Sequence, residues 1–226
     1  MRNENDKRLE DLWNEVYHIN NQHFPDSNLA PILGNGKIEK PKFMFIFINP
    51  THVNSSSKKD WKGPRFPFIG TKAVWRIFHR AGMFDDTLMK DIEITKTWSL
   101  DFTNKVLEFF KSKSFYITNI VKWTGEDATL PNTEKIKLFL PILEKEIEIV
   151  QPEYIVTFGL IPFENLTGQK ITLGEYYDEI MKTKKLKYYE KTFGKTKTKI
   201  IPCYFPVGRG NPKRAAEMLK MIKKVS

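Results

Sequence analysis

The sequence contains a single cysteine, Cys203, among its 226 residues. One thiol forms no disulfide within the chain, and it excludes a zinc or iron–sulfur site held by several cysteines of one chain. We expect no metal site and no cofactor. We expect Cys203 itself to be a buried strand residue, because a lone thiol usually behaves as a small apolar side chain.

Long apolar runs are also missing. The longest runs have about six residues, which is too short to cross a bilayer. The segment 1–7 is polar and lacks the apolar stretch of a signal peptide. Together these features predict a cytoplasmic protein with no membrane partner.

Acidic residues are outnumbered by basic ones, 27 against 37, which gives a net charge of +10. An excess of positive charge attracts polyanions, because binding to phosphates releases condensed counterions. Solubility is the alternative explanation, since lysine is a common exposed residue in any protein. The hydrophobic fraction of 40% is enough for a folded core, and the chain length fits one sizeable domain.

Predicted strands and helices alternate along the chain. Apolar runs predict four strands, at 43–48, 115–119, 154–158 and 200–205. Apolar periodicity predicts helices at 6–19, 71–80, 101–111 and 161–166, one of about fifteen residues from Asn132 or Thr133, and a last one from Asn211 or Pro212. This alternation predicts an α/β fold, a three-layer α/β/α sandwich with a central, mainly parallel four-stranded sheet. We expect a single domain, 1–226, with the helix and loop of 1–41 packed on it.

The sequence also predicts several local details of the helices and loops. Thr71 is predicted to cap the helix that follows it, and Gly82 to end that helix. Pro141 is predicted to kink its helix or to split it in two. The lysine-rich segment 182–199 is predicted to form an exposed ribbon or loop.

Polar side chains follow two of the predicted strands. Asn49 comes directly after the first strand, and Asn119 ends the second. The carboxyl edge of a parallel sheet is where such folds bind ligands. An asparagine side chain both donates and accepts hydrogen bonds, so it can recognise the edge of a small ring or orient a water molecule. A turn before proline is the alternative interpretation of Asn49, and a strand-end turn that of Asn119.

Four segments carry a resemblance to the uracil-DNA glycosylase superfamily. Ile48-Asn49-Pro50 resembles the first motif, in the asparagine form of the mismatch-specific thymine/uracil branch. The segment 66–70 (Phe-Pro-Phe-Ile-Gly) is similar to the one whose aromatic ring stacks on an extruded base. The segment 116–122 (Tyr-Ile-Thr-Asn-Ile-Val-Lys) resembles the strand whose asparagine recognises uracil, and 204–207 stands where a His-Pro-Ser type motif is usual. The order and spacing of these segments, across 40–222, carry the resemblance.

The resemblance implies a DNA glycosylase that acts by base flipping, with double- or single-stranded DNA as its partner. Asn49 would then position the attacking water at the anomeric carbon. Asn119 would contact the O4/N3 edge of uracil. Phe68 would stack on the base, and Phe66 is the competing candidate because the two residues lie on either side of a proline.

Phe205 is also predicted as a base-binding residue, but it departs from the resembled pattern. The resemblance places at this position a histidine that donates to uracil O2, and loss of such a donor typically lowers the rate by about 10²–10³. His52 is the only histidine in a candidate site loop, and we include it as a base-binding residue; a solvent-facing loop histidine is the alternative. The alternative function is a non-catalytic DNA-binding protein that retains the pocket.

The segment 207–212 (Val-Gly-Arg-Gly-Asn-Pro) precedes the last helix. Gly208 and Gly210 allow backbone N–H groups to approach a phosphate at a helix N-terminus. The resemblance implies that this loop enters the duplex with Arg209 at its tip. Lys213 and Lys122 are further predicted DNA contacts. We expect the protein to be a monomer.

Overall fold

The computed structural model describes residues 4–225, which form an α/β fold with eight α-helices and six strands. The strands are β1 Asn35–Gly36, β2 Phe43–Phe47, β3 Phe115–Asn119, β4 Tyr154–Phe158, β5 Tyr189–Phe193 and β6 Thr196–Cys203. The helices are α1 Glu4–His23, α2 Ala73–Arg80, α3 Asp86–Ile94, α4 Leu100–Ser112, α5 Thr133–Val150, α6 Leu160–Thr167, α7 Leu173–Thr183 and α8 Pro212–Lys223. A short 3-10 helix covers Ser55–Ser57.

One mixed sheet contains all of these strands, in the order β1-β3-β2-β4-β6-β5. β3, β2, β4 and β6 run parallel to one another. β1 and β5 lie at the two edges and pair antiparallel to their neighbours. The predicted four-stranded sheet was therefore too small. The missing strands are an Asn-Gly pair without apolar residues and a lysine-rich segment, so neither has the apolar run of a central strand.

Helices cover both faces of the sheet. Successive side chains of a strand point to opposite faces. On one face Phe43, Phe45 and Phe47 pack with the apolar residues of α2, α3, α4, α7 and α8. On the other face Met44 and Ile46 pack with those of α1, α5 and α6. The result is two apolar cores separated by the sheet, which is the arrangement of three layers.

The helix ends differ in detail from the expectations. Thr71 does not cap α2; its hydroxyl donates instead to the carbonyl of Phe68 at 3.0 Å, and the N-cap position is taken by Lys72 without a side-chain bond. Pro141 lies inside α5, which continues through it as one helix and is not split. α5 begins at Thr133, one of the two predicted starts, and Asn132 caps it by accepting from the N–H of Lys135.

Two helices were not predicted. α3 buries only Leu88, Met89 and Ile92, and α7 only Tyr176 and Ile180, so each contributes few residues to the core. The lysine-rich segment after α7 forms the β5–β6 hairpin, in agreement with the predicted ribbon. Cys203 is buried and free, as predicted, and burial raises the pKa of its thiol. No helix within residues 4–225 combines the length and apolarity needed to cross a membrane.

Candidate active site

The four parallel strands end at one edge of the sheet. Phe47 of β2 is in register with Asn119 of β3, and Phe158 of β4 with Cys203 of β6. The segments that follow these residues therefore meet at the same edge. In open α/β sheets this carboxyl edge is where ligands bind.

Asn119 has the most informative environment at this edge. Its side chain is 1% exposed, and neither Oδ1 nor Nδ2 has a hydrogen-bond partner within the described part of the chain. More than nine in ten buried polar groups in proteins are satisfied, so a side chain with both groups unpaired needs an explanation. Strand alternation puts this amide on the same face as Phe47, because Phe115 and Ile117 of β3 also lie on that face.

Aromatic rings surround Phe47 on this face. The Phe47 ring lies 4.6 Å from the ring of Phe68, 4.3 Å from that of Phe158 and 6.1 Å from that of Phe205, measured between centroids. Two of the predicted base-binding residues, Phe68 and Phe205, are thus brought together over one strand end. Both are half-buried, so each ring retains an exposed part.

Phe68 is held in an unusual backbone conformation. Its φ is +70°, a left-handed conformation that costs a bulky residue about 1–3 kcal/mol. The Phe68 carbonyl accepts from the Thr71 N–H at 3.1 Å, the Thr71 hydroxyl at 3.0 Å and Trp75 Nε1 at 3.3 Å. These three bonds hold the backbone of Phe68, and its ring packs against those of Phe47 and Trp75. Phe66, the competing candidate, is completely buried against Phe110 and offers no surface to a base.

Asn49 lies at the start of the long loop after β2. It is half-buried, and its Nδ2 donates to the Pro50 carbonyl at 3.1 Å. Gly125 packs against it; a Cβ on that glycine would lie 3.3 Å from Asn49 Nδ2. Among the residues that the structure describes, none donates a hydrogen bond to Asn49 Oδ1, which leaves this oxygen able to accept from a water molecule.

His52 is exposed, and its backbone N–H donates to the Gly125 carbonyl at 2.9 Å. The pKa of the Asp127 carboxyl is lowered mainly by hydrogen bonds from Thr129, and the charge of His52 contributes less. The described residues give no hydrogen bond between His52 and the other predicted site residues.

The loop between Phe205 and α8 is closed by its own backbone. The Asn211 N–H donates to the Phe205 carbonyl at 3.0 Å, and the Gly210 N–H donates to that of Val207 at 3.1 Å. A Cβ on Gly210 would lie 1.9 Å from the Phe205 oxygen, so only glycine fits there. Gly208 has a φ of +59°, in the left-handed region that glycine adopts readily. Asn211 caps α8 by accepting from the Arg214 N–H.

Arg209 and Lys213 are exposed on this loop and on the first turn of α8. Both side chains are therefore open to an anion at the edge that carries Asn119.

A family model described as the uracil DNA glycosylase superfamily matches residues 33–225. The chain belongs to the uracil DNA glycosylase superfamily. Members of this superfamily are typically DNA glycosylases, which are hydrolases. No curated protein matches the chain in a separate comparison.

Lys122 does not fit the DNA contact that its place in the superfamily motif suggested. Its side chain is 0% exposed and forms an ion pair with the equally buried Glu146 of α5. The ammonium therefore cannot reach a phosphate. Glu146 was not predicted as a relevant residue, although one feature could have indicated it: the sequence puts a glutamate on the apolar face of α5, between Leu143 and Ile147.

The β5–β6 hairpin lies away from the candidate site at the carboxyl edge of the sheet. Lys199 of β6 is in register with Tyr154, the first residue of β4. The hairpin turn at Gly194 and Lys195 precedes Lys199, so it lies past the amino-terminal end of β4. The hairpin is thus at the opposite edge of the sheet. Lys191 and Lys197 also pair with carboxylates there. The lysines near the turn of this hairpin therefore do not lie at the edge that carries Asn119.

Two shallow depressions on the surface do not coincide with the candidate site. One, of about 240 Å³, lies between α1 and α5, and the other, of about 300 Å³, lies between α1 and the segment 33–38. The unpaired amide of Asn119 identifies the candidate site better than these hollows, because a flipped base has to satisfy polar groups as well as occupy space.

Proposed function

We propose that this chain is a DNA glycosylase that cleaves the N-glycosidic bond of a deaminated or mismatched base, with uracil as the first candidate, by base flipping. The observation that carries the proposal is the buried Asn119 amide, for which the described residues supply no hydrogen-bond partner. Asn119 is in register with Phe47, whose ring contacts the half-buried rings of Phe68 and Phe205 at the carboxyl edge of the sheet. A flipped base would satisfy this amide and stack on a ring.

Asn119 matches the pairing pattern of uracil. Its Nδ2 donates to a carbonyl oxygen such as O4, and its Oδ1 accepts from an N–H such as N3–H. Phe68 supplies the stacking surface, and stacking on an aromatic ring contributes about 1–3 kcal/mol per base. The three hydrogen bonds on the Phe68 carbonyl hold its backbone, and contacts with Phe47 and Trp75 orient its ring before the base arrives.

Asn49 positions the attacking water. Its Nδ2 is engaged with the Pro50 carbonyl, so Oδ1 faces the water as an acceptor. An amide takes up a proton poorly, so it orients the water and does not act as a strong general base. Phe205 gives the departing base no hydrogen bond from its side chain. We therefore expect slow cleavage, with His52 contributing to base binding from the same loop as Asn49.

DNA is held by the loop that begins α8. Arg209 is exposed at the tip, Gly208 and Gly210 keep the backbone close, and Lys213 adds a positive charge on the first helical turn. A helix N-terminus favours a phosphate through its free N–H groups. We propose that Arg209 enters the space left by the flipped base.

A second candidate function is a non-catalytic DNA-binding protein that retains the base pocket. Phe205 favours it, because an apolar ring stands where the resembled enzymes have a hydrogen-bond donor for the leaving base. Asn119 serves both functions equally, since base recognition precedes any chemistry.

A cleavage assay tests the proposal. Oligonucleotides with uracil, hypoxanthine or a mismatched thymine are incubated with the protein in excess, treated with alkali and separated on a gel. Strand cleavage at one of these bases supports a glycosylase. Binding to the same oligonucleotides without cleavage supports the second candidate. Neither binding nor cleavage on any of them overturns both functions.

A further inference from the structure

A buried ion pair lies directly behind the proposed base-recognising side chain. Glu146 and Lys122 both have 0% exposed side chains and contact each other through Oε2 and Nζ. Glu146 Oε1 also accepts from the Gly34 N–H at 2.8 Å and the Tyr116 hydroxyl at 2.8 Å. Thr118 donates to Oε2 at 2.9 Å. The carboxylate is thus fully satisfied inside the protein.

Stability alone is a poor explanation for this pair. Desolvating two charges costs about as much as their attraction returns, and apolar side chains of similar volume often stabilise a core equally well. Burial lowers the pKa of Lys122, and Glu146 opposes that shift. Because burying the two charges gives little net stability, the role of the pair is better sought in the backbone atoms that it holds in place.

The remaining donors of Lys122 point to β3. Nζ donates to Thr118 Oγ1 at 2.8 Å and to the carbonyl oxygen of Asn119 at 2.6 Å. With the bond to Glu146, all three N–H groups of the ammonium are used. The next peptide nitrogen, that of Ile120, donates to the Phe47 carbonyl at 2.9 Å. The peptide group that joins Asn119 to Ile120 is therefore held on both sides, by Lys122 and by β2.

We propose that the Lys122–Glu146 pair is a positioning device that fixes the orientation of the Asn119 side chain; this inference rests on the proposed function. Among the described residues the Asn119 side chain has no hydrogen-bond partner, so its orientation depends on the packing around it and on the backbone that carries it. Base recognition needs that amide within about 10–20° of the productive orientation. A displacement of about 1 Å in such a contact can cost a factor of about 10² in rate.

The test compares two bases that differ at the edge contacted by Asn119. Uracil and pyrimidin-2-one are placed in the same oligonucleotide, and single-turnover excision rates are measured for each. Lys122→Met/Glu146→Gln removes both charges but keeps an acceptor for Gly34 and Tyr116. Leu143→Ala is the control, because it opens the same core one turn away on α5 without touching Asn119. Asn119→Ala defines complete loss of discrimination.

We expect the double variant to reduce the uracil preference at least about tenfold, towards that of Asn119→Ala. Leu143→Ala should retain the wild-type preference despite a lower melting temperature. A double variant with the wild-type preference would overturn the proposal. If the double variant does not fold, Lys122→Arg, which keeps the charge but moves the donors, is measured instead under the same criterion.

A second measurement is independent of catalysis. NMR relaxation of the Asn119 side-chain NH₂ group, assigned from its loss in Asn119→Ala, should show increased mobility in Lys122→Met/Glu146→Gln but not in Leu143→Ala. Unchanged mobility would overturn the positioning role. If the wild-type protein excises no base, the proposed function fails, and the relaxation result still decides whether the ion pair orients Asn119.

Discussion

Replacing Asn119 with leucine should make the protein more stable and less active. The side chain is 1% exposed, and neither of its polar atoms has a hydrogen-bond partner within residues 4–225. A buried polar group without a hydrogen bond costs about 1–3 kcal/mol. Leucine has nearly the same shape and no polar atom, so Asn119→Leu should raise the free energy of unfolding by about 1–3 kcal/mol.

Asn54→Leu is the matched control. Asn54 is also buried, at 3% exposure, but its Nδ2 donates to the Phe66 carbonyl at 2.8 Å and its Oδ1 accepts from the Ser56 N–H at 3.0 Å. The same substitution there removes satisfied hydrogen bonds and leaves their partners unpaired. We expect it to destabilise the protein by at least about 1–3 kcal/mol.

Thermal and urea unfolding measure the two variants side by side. For a domain of this size, 1 kcal/mol corresponds to a shift in Tm of about 2–4 °C. Asn119→Leu should therefore increase Tm by several degrees, and Asn54→Leu should lower it. Excision of uracil should be lost in Asn119→Leu. If its Tm falls as far as that of Asn54→Leu, Asn119 has a stabilising role in the fold, and the inference of a ligand site from its unpaired amide is wrong.

Three further substitutions test the remaining parts of the site. Asn49→Ala should lower single-turnover cleavage at least about tenfold without changing Tm, because it removes the acceptor for water; unchanged turnover would exclude Asn49 from the mechanism. Phe205→His should increase uracil excision by restoring a donor, whereas a drop in Tm of the size expected for about 1–3 kcal/mol with no gain in rate would assign Phe205 to the core. Arg209→Ala should weaken DNA binding and reduce the log–log salt slope by about 0.9, the contribution of one phosphate. Lys195→Ala, at the opposite sheet edge, should change neither, and an affinity that does not depend on salt would refute the nucleic-acid interpretation.

The central strands were predictable from the sequence because they are buried on both faces. All five residues of β2 and all five of β3 are buried, and each strand appears in the sequence as a continuous apolar or nearly apolar run. The edge strands have no such run. β5 alternates between half-buried and exposed residues along most of its length, and its position depends on pairing with β6. Local sequence carries little information about such a pairing.

The candidate site was predictable only in part. Once the two parallel strands are predicted, the residues at their carboxyl ends must lie at the same edge of the sheet. The positions of Asn49 and Asn119 at one edge therefore followed from the strand prediction. The environment of Lys122 did not, because its partner Glu146 comes from α5 and contacts it only after the sheet and helix pack together. A lysine in a positively charged chain gives no local indication that it is buried. The unpaired state of the Asn119 amide is likewise a tertiary property.

β3 therefore separates two kinds of buried polar group on its two faces. Towards α5, Thr118 and Lys122 are satisfied by Glu146 and by each other. On the opposite face, the Asn119 amide has no partner among the described residues. A fold that satisfies one face so completely has the means to satisfy the other, for example with a second carboxylate or a backbone group. That the Asn119 amide remains unpaired is best explained by a ligand that supplies the missing hydrogen bonds. Both candidate functions require this ligand to be a base, and they differ only in whether a water positioned by Asn49, as proposed, then reacts.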